Sequence, residues 1–175
     1  MQPVEILRVP TDMQTKVNHD MGMVMEYVDG GDLIEYIERH GQLTEKVAMR
    51  LLYQVMSALN HCHKMGIAHR DIKPDNLLMD SKSGNVILAD FGLAVPWHPT
   101  RMLQGKVGSM LYAAPEVLLG TPYIGPEVDI WSAGVVFYCM LSGCIPWEGR
   151  CLEEQLQRAV RGQYYKLNNI SRGNQ

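Results

Sequence analysis

"HRDIKPDNLLMD" (residues 69–80) sets Arg70, Asp71, Lys73, Asp75 and Asn76 into one short polar run between an apolar helical stretch and an apolar strand. A carboxylate, an ammonium and a carboxamide so close together can orient a proton, neutralise an anion and offer hard oxygen ligands at one point. The run reads as a candidate catalytic loop, and the segments on either side decide which fold presents it.

Upstream, Val47, Leu51, Leu52, Val55, Leu59 and Cys62 recur at helical spacing between Thr44, the expected N-cap, and Gly66. That spacing predicts a long amphipathic helix delivering the chain to the polar run. Before it, "DLIEYIERH" (32–40) predicts a short helix closed by Gly41. "VEILRV" (4–9) and "GMVMEYV" (22–28) read as short apolar strands, and "DGG" (29–31) as a flexible break after them. Downstream, "NLLMD" (76–80) and "NVILAD" (85–90) flank "SKSG" and predict a small hairpin turning at Ser83 and Gly84. A loop over about residues 92–112 follows. "EVDIWSAGVVFYCMLSG" (127–143) is apolar on nearly every side and predicts a helix buried all round. "LEEQLQRAVRG" (152–162) predicts a last amphipathic helix, and "NNISRGNQ" (168–175) a frayed tail. The class is α+β, mainly helical.

With 175 residues, 46% hydrophobic and 20% charged, the chain can bury a sizeable core. A net charge of −3 and the lack of any basic block argue against nucleic acid or an anionic membrane as partner. The longest apolar stretch, residues 130–141, falls short of the roughly 20 residues that span a bilayer, and the first residues do not read as a signal peptide. The four cysteines, Cys62, Cys139, Cys144 and Cys151, form no C-x-x-C pair, so buried thiols and a reducing intracellular setting, cytoplasmic or nuclear, are expected. "HCHK" (61–64) suggests a metal site at first sight, but His61 and His63 lie two apart and point to different faces of a helix.

Transfer of a phosphoryl group needs metal ligands, a group orienting the attacking hydroxyl and a cation near the moving phosphate. The polar run and the nearby "ADFG" carry these residue types in Asp71, Lys73, Asn76 and Asp90. Taken with "DFG" (90–92), "APE" (114–116) and "DIWSAG" (129–134) in that order, the sequence resembles the protein kinase superfamily. The resemblance assigns Asp71 to the hydroxyl proton, Lys73 to the phosphoryl oxygens and Asn76 with Asp90 to magnesium, and it implies the mainly helical large lobe of that fold, with its small hairpin, over residues 29–175. It implies remnant small-lobe strands and a hinge over residues 1–28.

The resemblance extends to finer roles. Lys73, together with Ser109 in "GSMLYAAPE", is similar to serine/threonine kinases, in which a residue at the Ser109 position bonds the catalytic aspartate and lysine. Leu93 is similar to kinases that prefer serine as acceptor. "VMEYVDGGDL" looks like the hinge: Met25 as gatekeeper, the Glu26 carbonyl and Val28 amide on the adenine edge of ATP, and Leu78 as its apolar floor. Asp32 stands where related kinases place an acidic group for the ribose or for a basic peptide, although an N-cap role would equally suit it. The wording is most similar to the calcium/calmodulin-dependent, AMP-activated and checkpoint-like branch. The implied activity is transfer of the γ-phosphoryl group of Mg-ATP to serine or threonine of a protein substrate.

The sequence also departs from the pattern. The 175 residues contain no G-x-G-x-x-G loop, and Lys16 lies too near the hinge to be the small-lobe lysine. A catalytically impaired, pseudokinase-like interaction module is therefore the alternative, with His69, Phe91 and Leu78 expected as an exposed patch. The large lobe is expected to be incomplete at its C-terminal end, leaving Glu116 a buried carboxylate without its arginine. Related kinases phosphorylate a threonine where this chain has Gly105, so Arg70, which elsewhere binds that phosphate, has no evident anion. Either the segment is ordered without phosphate or Thr100 substitutes.

Overall fold

The computed structural model describes residues 5–9, 20–147 and 149–167. In chain order it comprises strands β1 (Glu5–Val9) and β2 (Asp20–Val24), helices α1 (Leu33–His40) and α2 (Glu45–Lys64), and strands β3 (Ile67–Ala68), β4 (Leu77–Met79), β5 (Val86–Leu88) and β6 (Val95–Pro96). Helices α3 (Pro115–Leu119), α4 (Gly125–Ser142) and α5 (Leu152–Val160) complete it. The strands pair antiparallel as β1–β2, β3–β6 and β4–β5, with Ala68 opposite Val95 and Leu78 opposite Ile87.

Local signals set the helix ends. The Thr44 hydroxyl accepts the Val47 amide at 3.4 Å and starts α2, while the Asp32 carboxylate accepts the Glu35 amide at 2.9 Å and starts α1. Gly41, at φ 70°, ends α1 by donating its amide to the Ile37 carbonyl. The apolar stripe of α2 then packs on α4: Leu51, Val55 and Leu59 share a core with Ala133, Val136 and Met140, joined by Leu33 of α1 and by Ile72 and Leu77 of the polar run. Each such side chain contributes about 1.5–3 kcal/mol by leaving water. The polar run thus grows out of the core.

Several expectations need correction. The second strand ends at Val24, so Met25–Val28 lies outside any strand, released from pairing as it approaches α1. Helix α4 is not buried all round: Ile130 is 43% exposed, and Gly134 also faces water. Cys62 and Cys139 are buried, but Cys144 and Cys151 lie in the irregular chain between α4 and α5 and are exposed. The pairing of β3 with β6 and the short α3 were not foreseen. Among the described residues no helix is long and apolar enough to cross a membrane. Lys16 and the tail expected to fray lie outside the described residues.

Candidate active site

The polar run leaves β3 at Ala68 and is fastened from below by α4. Asp129, 1% exposed, accepts the His69 amide on Oδ2 (2.9 Å) and the Arg70 amide on Oδ1 (2.7 Å), and Oδ2 also meets His63 Nε2 at 2.8 Å. A buried carboxylate is tolerated only when its lone pairs are occupied, and here the donors come from α2 and from the run itself. These bonds hold Arg70 at φ 67°, a left-handed conformation that costs about 1–3 kcal/mol outside glycine. The turn aims Asp71 away from the core.

His69 is fully buried, contrary to the exposed patch expected from the sequence. Its Nε2 donates to the Ala89 carbonyl at 3.0 Å and its Nδ1 accepts the Asp71 amide at 3.3 Å, so the ring is the neutral Nε2–H tautomer. Phe91 packs edge-on against it with ring centroids 4.8 Å apart and stays 46% exposed; Leu78 is half-buried. Glu116 is likewise half-buried, which removes the full desolvation penalty expected for it.

Asp71 is the centre of the polar contacts. Its Oδ1 accepts the Ser109 amide at 2.8 Å, and its Oδ2 accepts Asn76 Nδ2 at 3.0 Å and lies 3.4 Å from Lys73 Nζ. Burial raises the Asp71 carboxyl, yet hydrogen bonds from the Ser109 hydroxyl and amide, the Lys73 charge and the Asn76 amide outweigh it. The group therefore sits below its ordinary value and is ionised at neutral pH. Ser109 reaches it because the preceding residue is Gly108, at φ 85°, where any side chain would collide with the Arg70 carbonyl.

Asn76 ends the 3-10 turn Pro74–Asn76 and is buried. Its Nδ2 donates to both the Asp71 carboxylate and the Asp71 carbonyl (2.8 Å), so both amide hydrogens are spent inside the loop and the side-chain oxygen is left for a cation. Asp90 follows β5 at φ 56°, its Oδ1 accepting the Gly92 amide at 3.1 Å, and it is exposed. Arg70 and Asp90 are the non-glycine residues with positive φ among the described residues. Asp90 is one of the predicted metal ligands, and Arg70 immediately precedes the predicted catalytic Asp71.

The positions expected as a hinge are stitched to the end of the same run. Gly30 donates to the Met79 carbonyl at 2.9 Å and Met79 to the Gly31 carbonyl at 2.8 Å, which sets Asp32 across from Leu78. A side chain at Gly30 would strike the Met79 carbonyl. Val28 is half-buried, while Met25 and Glu26 are exposed. Asp32 serves as the N-cap of α1, the structural role that its position at a helix start allowed.

Sequence reasoning missed Asp129 and His63 as the fastening of the loop. The signal was present: a carboxylate inside an otherwise apolar helix must find donors. It also missed Tyr123, 2% exposed, whose hydroxyl accepts Arg70 Nη1 at 3.2 Å. No local pattern announces that contact, because it joins residues far apart in the chain.

Comparison with known proteins agrees with this geometry. The model of the protein kinase domain family matches residues 4–174. The chain is 44% identical over 149 residues to "Probable serine/threonine-protein kinase MARK-C" of Dictyostelium discoideum, covering 85% of this chain and 19% of that protein. It is 44% identical over 142 residues to "NUAK family SNF1-like kinase 2" of Rattus norvegicus, covering 81% and 22%. It is 42% identical over 153 residues to "SNF1-related protein kinase catalytic subunit alpha KIN12" of Arabidopsis thaliana, covering 87% and 31%. The chain thus spans between 19% and 31% of the length of these relatives. With its catalytic-loop geometry, its DFG and APE motifs and a family match over nearly its whole length, the chain belongs to the eukaryotic serine/threonine protein kinase family, in its AMP-activated-like branch.

Proposed function

We propose that this chain carries the catalytic centre of a serine/threonine protein kinase, transferring the γ-phosphoryl group of ATP to a serine or threonine hydroxyl of a protein substrate. The observation that carries the reading is the fixed, ionised Asp71 carboxylate, held on both oxygens by Ser109, Asn76 and Lys73. In this reading Asp71 orients the acceptor hydroxyl and takes up its proton, Lys73 neutralises charge on the transferred group, and Ser109 keeps the aspartate in register. Leu93, after the DFG glycine, supports serine as the preferred acceptor.

Magnesium fits the donors present. It binds through one or two carboxylates together with substrate phosphates and waters, and Asp90 with the Asn76 oxygen supplies hard oxygens of that kind. When bound, it would neutralise the phosphate charge. Met25, the Glu26 carbonyl, the Val28 amide, Leu78 and Asp32 are the positions we assign to ATP. We take residues 1–28 as hinge and small-lobe remnant and residues 29–175 as large lobe. The four free thiols support a reducing, cytoplasmic or nuclear setting.

A second reading, a non-catalytic interaction module, draws on the exposed Tyr53, Ile87 and Phe91, which line an open groove of about 710 Å³ between α2 and β5. Phosphoryl transfer from labelled ATP to a serine peptide by the purified chain, compared with Asp71→Asn, separates the two readings. Transfer lost in the variant supports the kinase, and equal signals support the module.

A further inference from the structure

The Arg70 guanidinium has no carboxylate partner among the described residues. Its Nε donates to the Leu93 carbonyl at 2.9 Å and its Nη1 to the Tyr123 hydroxyl at 3.2 Å. Tyr123 is buried, and its backbone exchanges two hydrogen bonds with Leu103, at 2.8 and 3.0 Å. One cation therefore ties the chain just after Asp90 to the chain just before α4, and Leu103 between them is held through Tyr123.

The hydroxyls within residues 92–112 are those of Thr100, Ser109 and Tyr112. The Thr100 hydroxyl is bonded to His98 Nδ1 at 2.9 Å, and Ser109 is engaged with Asp71. Gly105, which has no side chain to modify, takes a φ of 109°. The oxygens that hold the Arg70 guanidinium, the Leu93 carbonyl and the Tyr123 hydroxyl, are both neutral.

We infer that Tyr123 is a positioning residue of this site: its buried hydroxyl holds the Arg70 guanidinium, and so keeps the segment bearing Ser109 against Asp71 without covalent modification. The catalytic consequence rests on the kinase reading, but the order of the segment can be measured apart from it. A hydrogen bond from a charged donor to a buried acceptor is strong enough to govern local opening.

Hydrogen exchange of the whole chain, followed by mass spectrometry, tests the inference. In Tyr123→Phe, which keeps the ring and loses only the hydroxyl, peptides over residues 93–103 should exchange about tenfold faster while peptides over residues 133–141 stay unchanged. Phosphatase-treated wild type and Thr100→Ala should exchange like untreated wild type. Where transfer is measured, Tyr123→Phe should lower kcat with KM for ATP unchanged. Exchange in Tyr123→Phe within twofold of wild type, or loosening by phosphatase, would overturn the inference. The expected exchange pattern in a chain without transfer activity would overturn the kinase reading alone and leave the anchor supported.

Discussion

His63 Nε2 and the His69 amide converge on a single oxygen, Oδ2 of Asp129, at 2.8 and 2.9 Å, while Oδ1 takes the Arg70 amide at 2.7 Å. Helices α2 and α4 thereby fasten the first turn of the catalytic loop through one buried carboxylate. This fastening holds the backbone at His69 and Arg70, the two residues that lead into Asp71.

Removing that carboxylate leaves two backbone amides and an imidazole without partners. Asp129→Ala should cost about 3–5 kcal/mol of stability and His63→Ala about 1–3 kcal/mol. The double variant should cost less than the sum, because the pair shares one interaction. Urea denaturation of the four proteins checks this; full additivity would mean that the two side chains act independently.

Asn76 braces Asp71 through its amide hydrogens, and in the proposed reading it also offers its oxygen to magnesium. Asn76→Ala removes both, whereas Asn76→Asp restores an oxygen ligand but not the donors. The magnesium concentration for half-maximal transfer should rise about 10–100-fold in Asn76→Ala and by less in Asn76→Asp. Equal shifts in the two variants would count against the metal role.

Because its folded-state value lies below the ordinary 3.8, Asp71 contributes stability that is fully present above about that pH. The contribution is lost as pH falls through the lower folded value. The stability difference between wild type and Asp71→Asn should therefore hold constant from neutrality down to about pH 4 and shrink below it. A difference that grew on acidification would reverse the sign of the interaction.

Burial pushes the Cys139 thiol up to about 12, with Cys144 nearby adding to the shift, and burial raises Cys62 as well. Thiolate is the reactive form. Iodoacetamide at mild alkaline pH should label the exposed Cys144 and Cys151 first and reach Cys62 and Cys139 only on unfolding. Peptide mapping of the labelled chain reads the order, and early modification of Cys139 would contradict its packing.

Helices α1 and α2 were legible because each is specified locally, by an apolar stripe, a capping oxygen at Asp32 or Thr44, and a glycine close to the end. The β4–β5 hairpin was legible for the same reason, its turn residues lying between two apolar arms. The two-residue β3 and β6 have no such pattern; they exist because Gly66 and Trp97 bring distant segments together, the Trp97 amide donating to the Gly66 carbonyl at 2.8 Å. In the candidate site, Asp71, Lys73, Asn76 and Ser109 could be named from residue type and order, and the structure brings them together around Asp71. The Asp129, His63 and Tyr123 contacts were hidden because each pairs a side chain with a partner set by tertiary packing. The neutral Leu93 and Tyr123 oxygens that Arg70 bonds were hidden for the same reason.

The central claim is that the fixed, ionised Asp71 serves phosphoryl transfer. The direct measurement is the rate of γ-phosphoryl transfer from Mg-ATP to a serine peptide by wild type and by Asp71→Asn, with circular dichroism confirming that both are folded. The account predicts a loss of about 10²–10⁴-fold in the variant, the range expected when a positioned general base is removed. Equal rates in two folded proteins would contradict it.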